Sequence, residues 1–138
     1  MHRIKNKYMN NKLKERLAVG EELFCYDGRT QMEKVTVVEV NKEAKTAKLS
    51  NQIICSRYPD SKGIFEKQGA YSSFYTIKRV DDETEFLLKS YKSRKRVGKF
   101  LTDINWLLTK THDITKSSQD QLETVIKLDK YLTKIFEK

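Results

Sequence analysis

Residues 17–49 constrain the chain more than any other stretch: LAVGEELFCYDGRTQMEKVTVVEVNKEAKTAKL. Val35, Val37, Val38 and Val40 are β-branched, and such side chains favour the pleated conformation. Leu23, Phe24 and Cys25 make a shorter run that is apolar on both faces. Gly20 precedes it and Asp27-Gly28 follows it as a turn signal. The doubled Val37-Val38 breaks strict alternation and predicts a bulge or a strand buried on both sides. Residues 41–45 are polar and of hairpin-loop length, and Thr46 to Leu49 resume the alternation. Short strands at this spacing predict a curled antiparallel sheet that hides its edges by partial closure.

The strand pattern continues through Gln52-Ile53-Ile54-Cys55. From Ser56 to Tyr71 the chain changes character, with Pro59-Asp60, Lys62-Gly63 and Gly69 as loop chemistry. Residues 73–80, SFYTIKRV, alternate again and predict the strand that closes the sheet. Beyond Asp81 the period becomes helical. The acidic run Asp81 to Glu85 suits a helix N-terminus. Leu87, Tyr91, Arg94, Val97, Leu101, Ile104 and Leu108 then fall at helical spacing as one stripe, ending near Thr109-Lys110. Ser118, with Gln121 three residues on, predicts the cap of a last helix. Trp106, near the turn between the two helices, reads as core. The expected fold class is α+β: residues 1–18 a basic helix or arm, 19–80 a small antiparallel barrel, and 81–138 a helical hairpin packed on it. Ile4, Tyr8, Leu13 and Leu17 give the arm an imperfect apolar stripe, with 11–18 its firmer part.

Cys25 and Cys55 both fall in predicted strands and read as reduced core thiols in preference to a disulfide, the alternative that their count of two leaves open. His2 and His112 have no companions at ligand spacing, so neither a structural zinc nor any other cofactor is expected. No apolar run approaches the ~18–20 residues of a membrane span. The polar, basic start of the chain lacks the apolar core of a signal peptide, and a cytoplasmic protein is expected. No phosphate loop, dinucleotide fingerprint or nucleophile elbow is visible. Asp81-Asp82 reads as a helix cap rather than a metal site. The chain is expected not to be an enzyme.

Charge supplies the functional direction. The chain carries 28 basic and 19 acidic residues, a net charge of +9. Residues 1–20 hold six basic groups against Glu15 alone. No acid interrupts Lys89 to Lys99, the densest basic run. The 56–71 loop interleaves Arg57, Lys62 and Lys67 with Tyr58, Phe65 and Tyr71. Cations meet phosphates and rings stack on bases, so this composition suits a nucleic-acid surface. Phe65 is the ring expected to plug the barrel instead. The candidate contacts are Lys12, Lys14, Arg16, Arg57, Lys62, Lys67, Lys89, Lys92, Lys95, Arg96 and Lys99.

LAVGEELFCYDG followed by VTVVEV and TAKL resembles small SH3-like barrels, including the KOW type, in which a hydrophobic-x-Gly-acidic opening leads into the first strand. Barrel followed by helices also resembles tailed-phage early proteins of the MotB type. That resemblance implies a sequence-tolerant DNA-binding protein, a phage modulator of host transcription or nucleoid. Two other readings remain open: an interaction module or inhibitor that meets an acidic host protein, and an RNA-binding module.

Overall fold

The computed structural model describes residues 15–137. Five strands form one antiparallel sheet: β1 (Glu22–Tyr26), β2 (Met32–Asn41), β3 (Thr46–Leu49), β4 (Ile54–Ser56) and β5 (Thr76–Arg79), in the order β4-β3-β2-β1-β5. Two helices follow, α1 (Asp82–Lys110) and α2 (Gln119–Phe136). The chain divides into two compact units, one ending at Tyr91 and the other beginning at Lys92.

In the sheet unit, β2 is long enough to pair with β1 through one half and β3 through the other. The register slips between Val37 and Glu39, where the doubled valine stands. The extra residue bends the strand, and bending is what lets a five-stranded sheet curl. The concave face gathers Leu17, Leu23, Cys25, Val35, Val37, Ala47, Leu49, Cys55, Phe65 and Ile77 into one core. Both cysteines in it are free thiols.

The edges of the sheet are joined by the segment after β4. Ser56 N–H donates to the Glu66 carbonyl and Gln68 N–H to the Ile54 carbonyl, while Phe65 N–H donates to the Ile77 carbonyl of β5. Residues 65–68 thus fill the seam between β4 and β5 and satisfy polar groups that an open edge would expose.

Phe24 lies on the opposite face of β1 yet is buried. Its cross-strand neighbour Lys34 pairs with Glu85 at 2.6 Å, and Tyr91 donates its hydroxyl to the Thr30 carbonyl. The first turns of α1, with buried Thr84 and Leu88, therefore cover this side. The helix starts as its acidic run implies: Asp81 Oδ1 accepts from Thr84 N–H, and Thr84 Oγ1 accepts from Asp81 N–H, both at 2.8 Å.

Three sequence expectations change. Residues 15–18 are not helical: Leu17 enters the core as an irregular segment whose N–H bonds to the Arg57 carbonyl. The rest of the expected arm, with Lys12 and Lys14, lies outside the described residues. The closing strand is shorter than 73–80, because Tyr71 adopts a left-handed conformation (φ 62°) and Ser72–Phe74 turn as a short 3-10 helix before β5 begins. The fourth strand begins at Ile54 rather than Gln52, whose φ of 74° is incompatible with a strand.

The helical unit runs from Lys92 through α2, whose cap is as expected: Ser118 Oγ accepts from Gln121 N–H at 3.2 Å. Its packing is unusual, since α2 has no buried residue. Trp106, expected in the core, is 59% exposed, with the Lys110 ammonium 5.4 Å from its ring centre. No helix among the described residues is long and apolar enough to cross a membrane.

Candidate nucleic-acid interface

The candidate cations among the described residues separate sharply by environment. Arg57 is buried, and its Nε donates to the Leu17 carbonyl at 2.8 Å. Lys67 is half-buried; its ammonium donates to the Gln68 and Ala70 carbonyls at 3.0 and 2.9 Å and lies 5.0 Å from the Tyr75 ring centre. Both brace the loop in which the sequence suggests phosphate contacts. Arg16 and Lys62 are exposed. Asp60 shapes the loop around Lys62, its Oδ1 accepting the N–H groups of Lys62 and Ile64.

The remaining cations belong to α1. Lys92, Lys95, Arg96 and Lys99 follow one another at helical steps of three, one and three residues, which puts all four on one face. All four are exposed. Among the described residues Lys92, Arg96 and Lys99 form no ion pair with a carboxylate. The ridge spans about 10 Å of helix axis. Lys89 precedes it on the same helix and is exposed on the sheet unit. The ridge lies opposite the apolar stripe of Val97, Leu101 and Ile104, so whatever covers that stripe leaves the ridge open.

The sheet unit adds exposed rings to its exposed cations. Phe65 fills the core, as expected from its place in the loop, but Tyr71 is 74% and Phe74 58% exposed. Their ring centres are 6.3 Å apart with planes at 36°. Phe74 alternates with its neighbours as a strand residue would, so the alternation does not reveal this pair. Both rings flank the short 3-10 turn that begins at the left-handed Tyr71. The signal available in the sequence is compositional: Gly69-Ala70-Tyr71-Ser72-Ser73 is turn-forming chemistry.

Electrostatics within the sheet unit is local. Burial alone would raise the Asp27 carboxyl, but the backbone N–H groups of Gln31, Arg29 and Thr30 hold it below the usual carboxylate range. The Lys34 ammonium is raised by its hydrogen bond to Glu85. Among the described residues no group of three or more His, Cys, Asp or Glu side chains is arranged to hold a metal ion. Comparison with protein-family models, curated proteins and solved structures gave no match.

Proposed function

We propose that the protein binds nucleic acid, DNA in preference to RNA, without reading its sequence. The observation that carries this reading is the ridge of Lys92, Lys95, Arg96 and Lys99 on one exposed face of α1. Long, solvated cations contact phosphates, which position a protein on a duplex but carry no base identity. A ridge of about 10 Å matches roughly three phosphates along one strand, at ~3.4 Å each. The affinity for duplex DNA should then fall with salt along a log–log slope of about −3. Such contacts suit coating or remodelling of DNA rather than control at a single site. Titration of a labelled duplex from low to high salt tests the reading; no binding at low salt overturns it.

The Tyr71–Phe74 pair favours a second reading, a preference for unpaired bases, RNA included. Exposed rings stack on any base and contribute about 1–3 kcal/mol each in single-strand binders. Competition between duplex and single strands of equal length separates the two.

A further inference from the structure

Among the described residues Tyr71 is the only aromatic one in the left-handed backbone region (φ 62°), and it is 74% exposed. Glycine adopts that backbone without strain, and so solvated a ring adds little burial to offset the strain. The fold therefore does not require the ring, and strain of this kind clusters at ligand clamps. The ring is nevertheless held in a braced setting. The Lys67 ammonium donates to the Ala70 carbonyl, on the peptide that enters Tyr71, and to the Gln68 carbonyl. Phe74 N–H donates to the Tyr71 carbonyl at 3.1 Å, closing the short turn between the two exposed rings.

The β1–β2 turn abuts this pair. Gly28 lies so close to Phe74 that a Cβ on it would stand 3.1 Å from the Phe74 Cβ. Asp27 Oδ1 accepts the N–H groups of Arg29, Thr30 and Gln31, and Tyr91 donates its hydroxyl to the Thr30 carbonyl, so the turn is fixed. Arg29 follows Gly28 in it, exposed, with no carboxylate partner among the described residues. We propose that Tyr71, Phe74 and Arg29 form a binding site for unpaired nucleotides of a single strand, the rings stacking on bases and the guanidinium meeting an adjoining phosphate. The site rests on the second reading above, a preference for unpaired bases, and adds to it a cation that belongs neither to the ridge nor to the 56–71 loop. Its occupant has to offer a flat π face and a negative charge side by side, and a nucleotide carries both. A duplex keeps its base faces stacked inside and offers the rings nothing. The net charge of +9 favours a polyanion over a neutral aromatic ligand.

The test uses the full chain. The probes are an oligothymidylate, an oligouridylate and an abasic deoxyribose oligomer of equal charge, each of about ten nucleotides. Fluorescence anisotropy in moderate salt reads all of them where the ridge contributes least. The wild type is expected to bind the oligothymidylate at least about tenfold more tightly than the abasic oligomer, the effect of a good stack. A tighter oligothymidylate names a DNA strand as the source and a tighter oligouridylate an RNA strand; either supports the site. Tyr71→Gly keeps the left-handed turn and removes its ring. It should unfold at the wild-type urea concentration, leave duplex affinity unchanged and weaken oligothymidylate binding at least about fivefold. Phe74→Ala should act in the same direction and keeps the test decisive should the first variant unfold. Arg29→Gln should flatten the single-strand salt slope by about 0.7, the share of one phosphate. An oligothymidylate held no better than the abasic oligomer overturns the reading of unpaired bases and the site with it. A preference that survives both ring variants leaves that reading standing and overturns the site. A salt slope untouched by Arg29→Gln overturns the place of the guanidinium in it. Each outcome is independent of whether the ridge binds duplex DNA at low salt.

Discussion

Arg57 Nε donates to the Leu17 carbonyl at 2.8 Å, and Leu17 N–H donates back to the Arg57 carbonyl at 2.9 Å. The pair clamps the segment before β1 to the residue after β4. It also explains how Leu17, in an irregular stretch, reaches complete burial. A hydrogen bond from a charged group contributes about 1.5–3 kcal/mol. Arg57→Met keeps the bulk and leaves the Leu17 carbonyl without its side-chain donor. We expect a stability loss of about 2 kcal/mol by urea unfolding. Affinity for DNA, measured on the folded fraction, should stay at the wild-type level. A large loss of affinity without loss of stability would return Arg57 to the interface.

Gly28 sits in the β1–β2 turn at φ +84°, and a Cβ there would come within 2.4 Å of the Phe74 carbonyl oxygen. Gly20, at φ +96°, has nothing within 4 Å of its Cβ position. The two glycines share the left-handed backbone and differ in the collision. Gly20→Ala should cost only the conformational strain, about 1 kcal/mol. Gly28→Ala should cost that and the displacement of Phe74, on the order of 3 kcal/mol. Urea midpoints of the two variants check the difference; equal losses would mean that the 72–74 turn yields without resistance.

Neutralising the ridge tests the functional reading residue by residue. Lys92→Gln, Arg96→Gln and Lys99→Gln together should flatten the salt slope by about 0.9 for each phosphate that is no longer neutralised. Arg94, exposed on a different face of the same helix, serves as control. Arg94→Gln should leave the slope unchanged. Both proteins should unfold at the same urea concentration, since none of these side chains is buried. If Arg94→Gln weakens binding as much as the triple variant does, positive charge in general attracts DNA and the ridge has no privileged place.

What the sequence discloses depends on how local the physics is. The β1 and β2 runs, the slip at Val37-Val38 and the caps at Asp81 and Ser118 are written within a few adjacent residues, and each can be read there. The Arg57–Leu17 clamp joins positions 40 apart, and no local pattern distinguishes a bracing arginine from a phosphate-binding one. Phe74 alternates as a strand residue would, and the left-handed turn at Tyr71 decides otherwise. Trp106 reads as core because large apolar side chains usually find one, whereas the helical unit exposes its apolar stripe. The basic ridge is legible as a periodic face. That Lys92, Arg96 and Lys99 stand clear of the described carboxylates is visible only in three dimensions.

Cys25 and Cys55 share the core of the sheet unit, and their protonation couples stability to pH. Burial pushes the Cys25 thiol up to about 11, opposed by the hydrogen bond from Asn51 and helped by the Glu33 and Asp27 carboxylates. Burial, with a further contribution from Cys25, pushes Cys55 up to about 12. Thiols of the unfolded chain titrate near 9.0. Below that pH both states hold their protons, and the thiols contribute no pH dependence. Between about 9 and the native values the unfolded chain loses protons that the folded chain keeps, so stability falls as pH rises. The loss should reach on the order of 2 kcal/mol per thiol by about pH 10.5. Comparing urea unfolding of the wild type with Cys25→Ala/Cys55→Ala at about pH 8 and pH 10.5 isolates it from tyrosine and lysine titration. The variant should be less stable at the lower pH, because it leaves a cavity, and should lose less on going to the higher one. The same burial predicts that a disulfide reagent at about pH 8 modifies the native thiols only as fast as the core opens. Reaction at the rate of an exposed thiol, with no alkaline difference between the two proteins, would show that the core around Cys25 and Cys55 admits water.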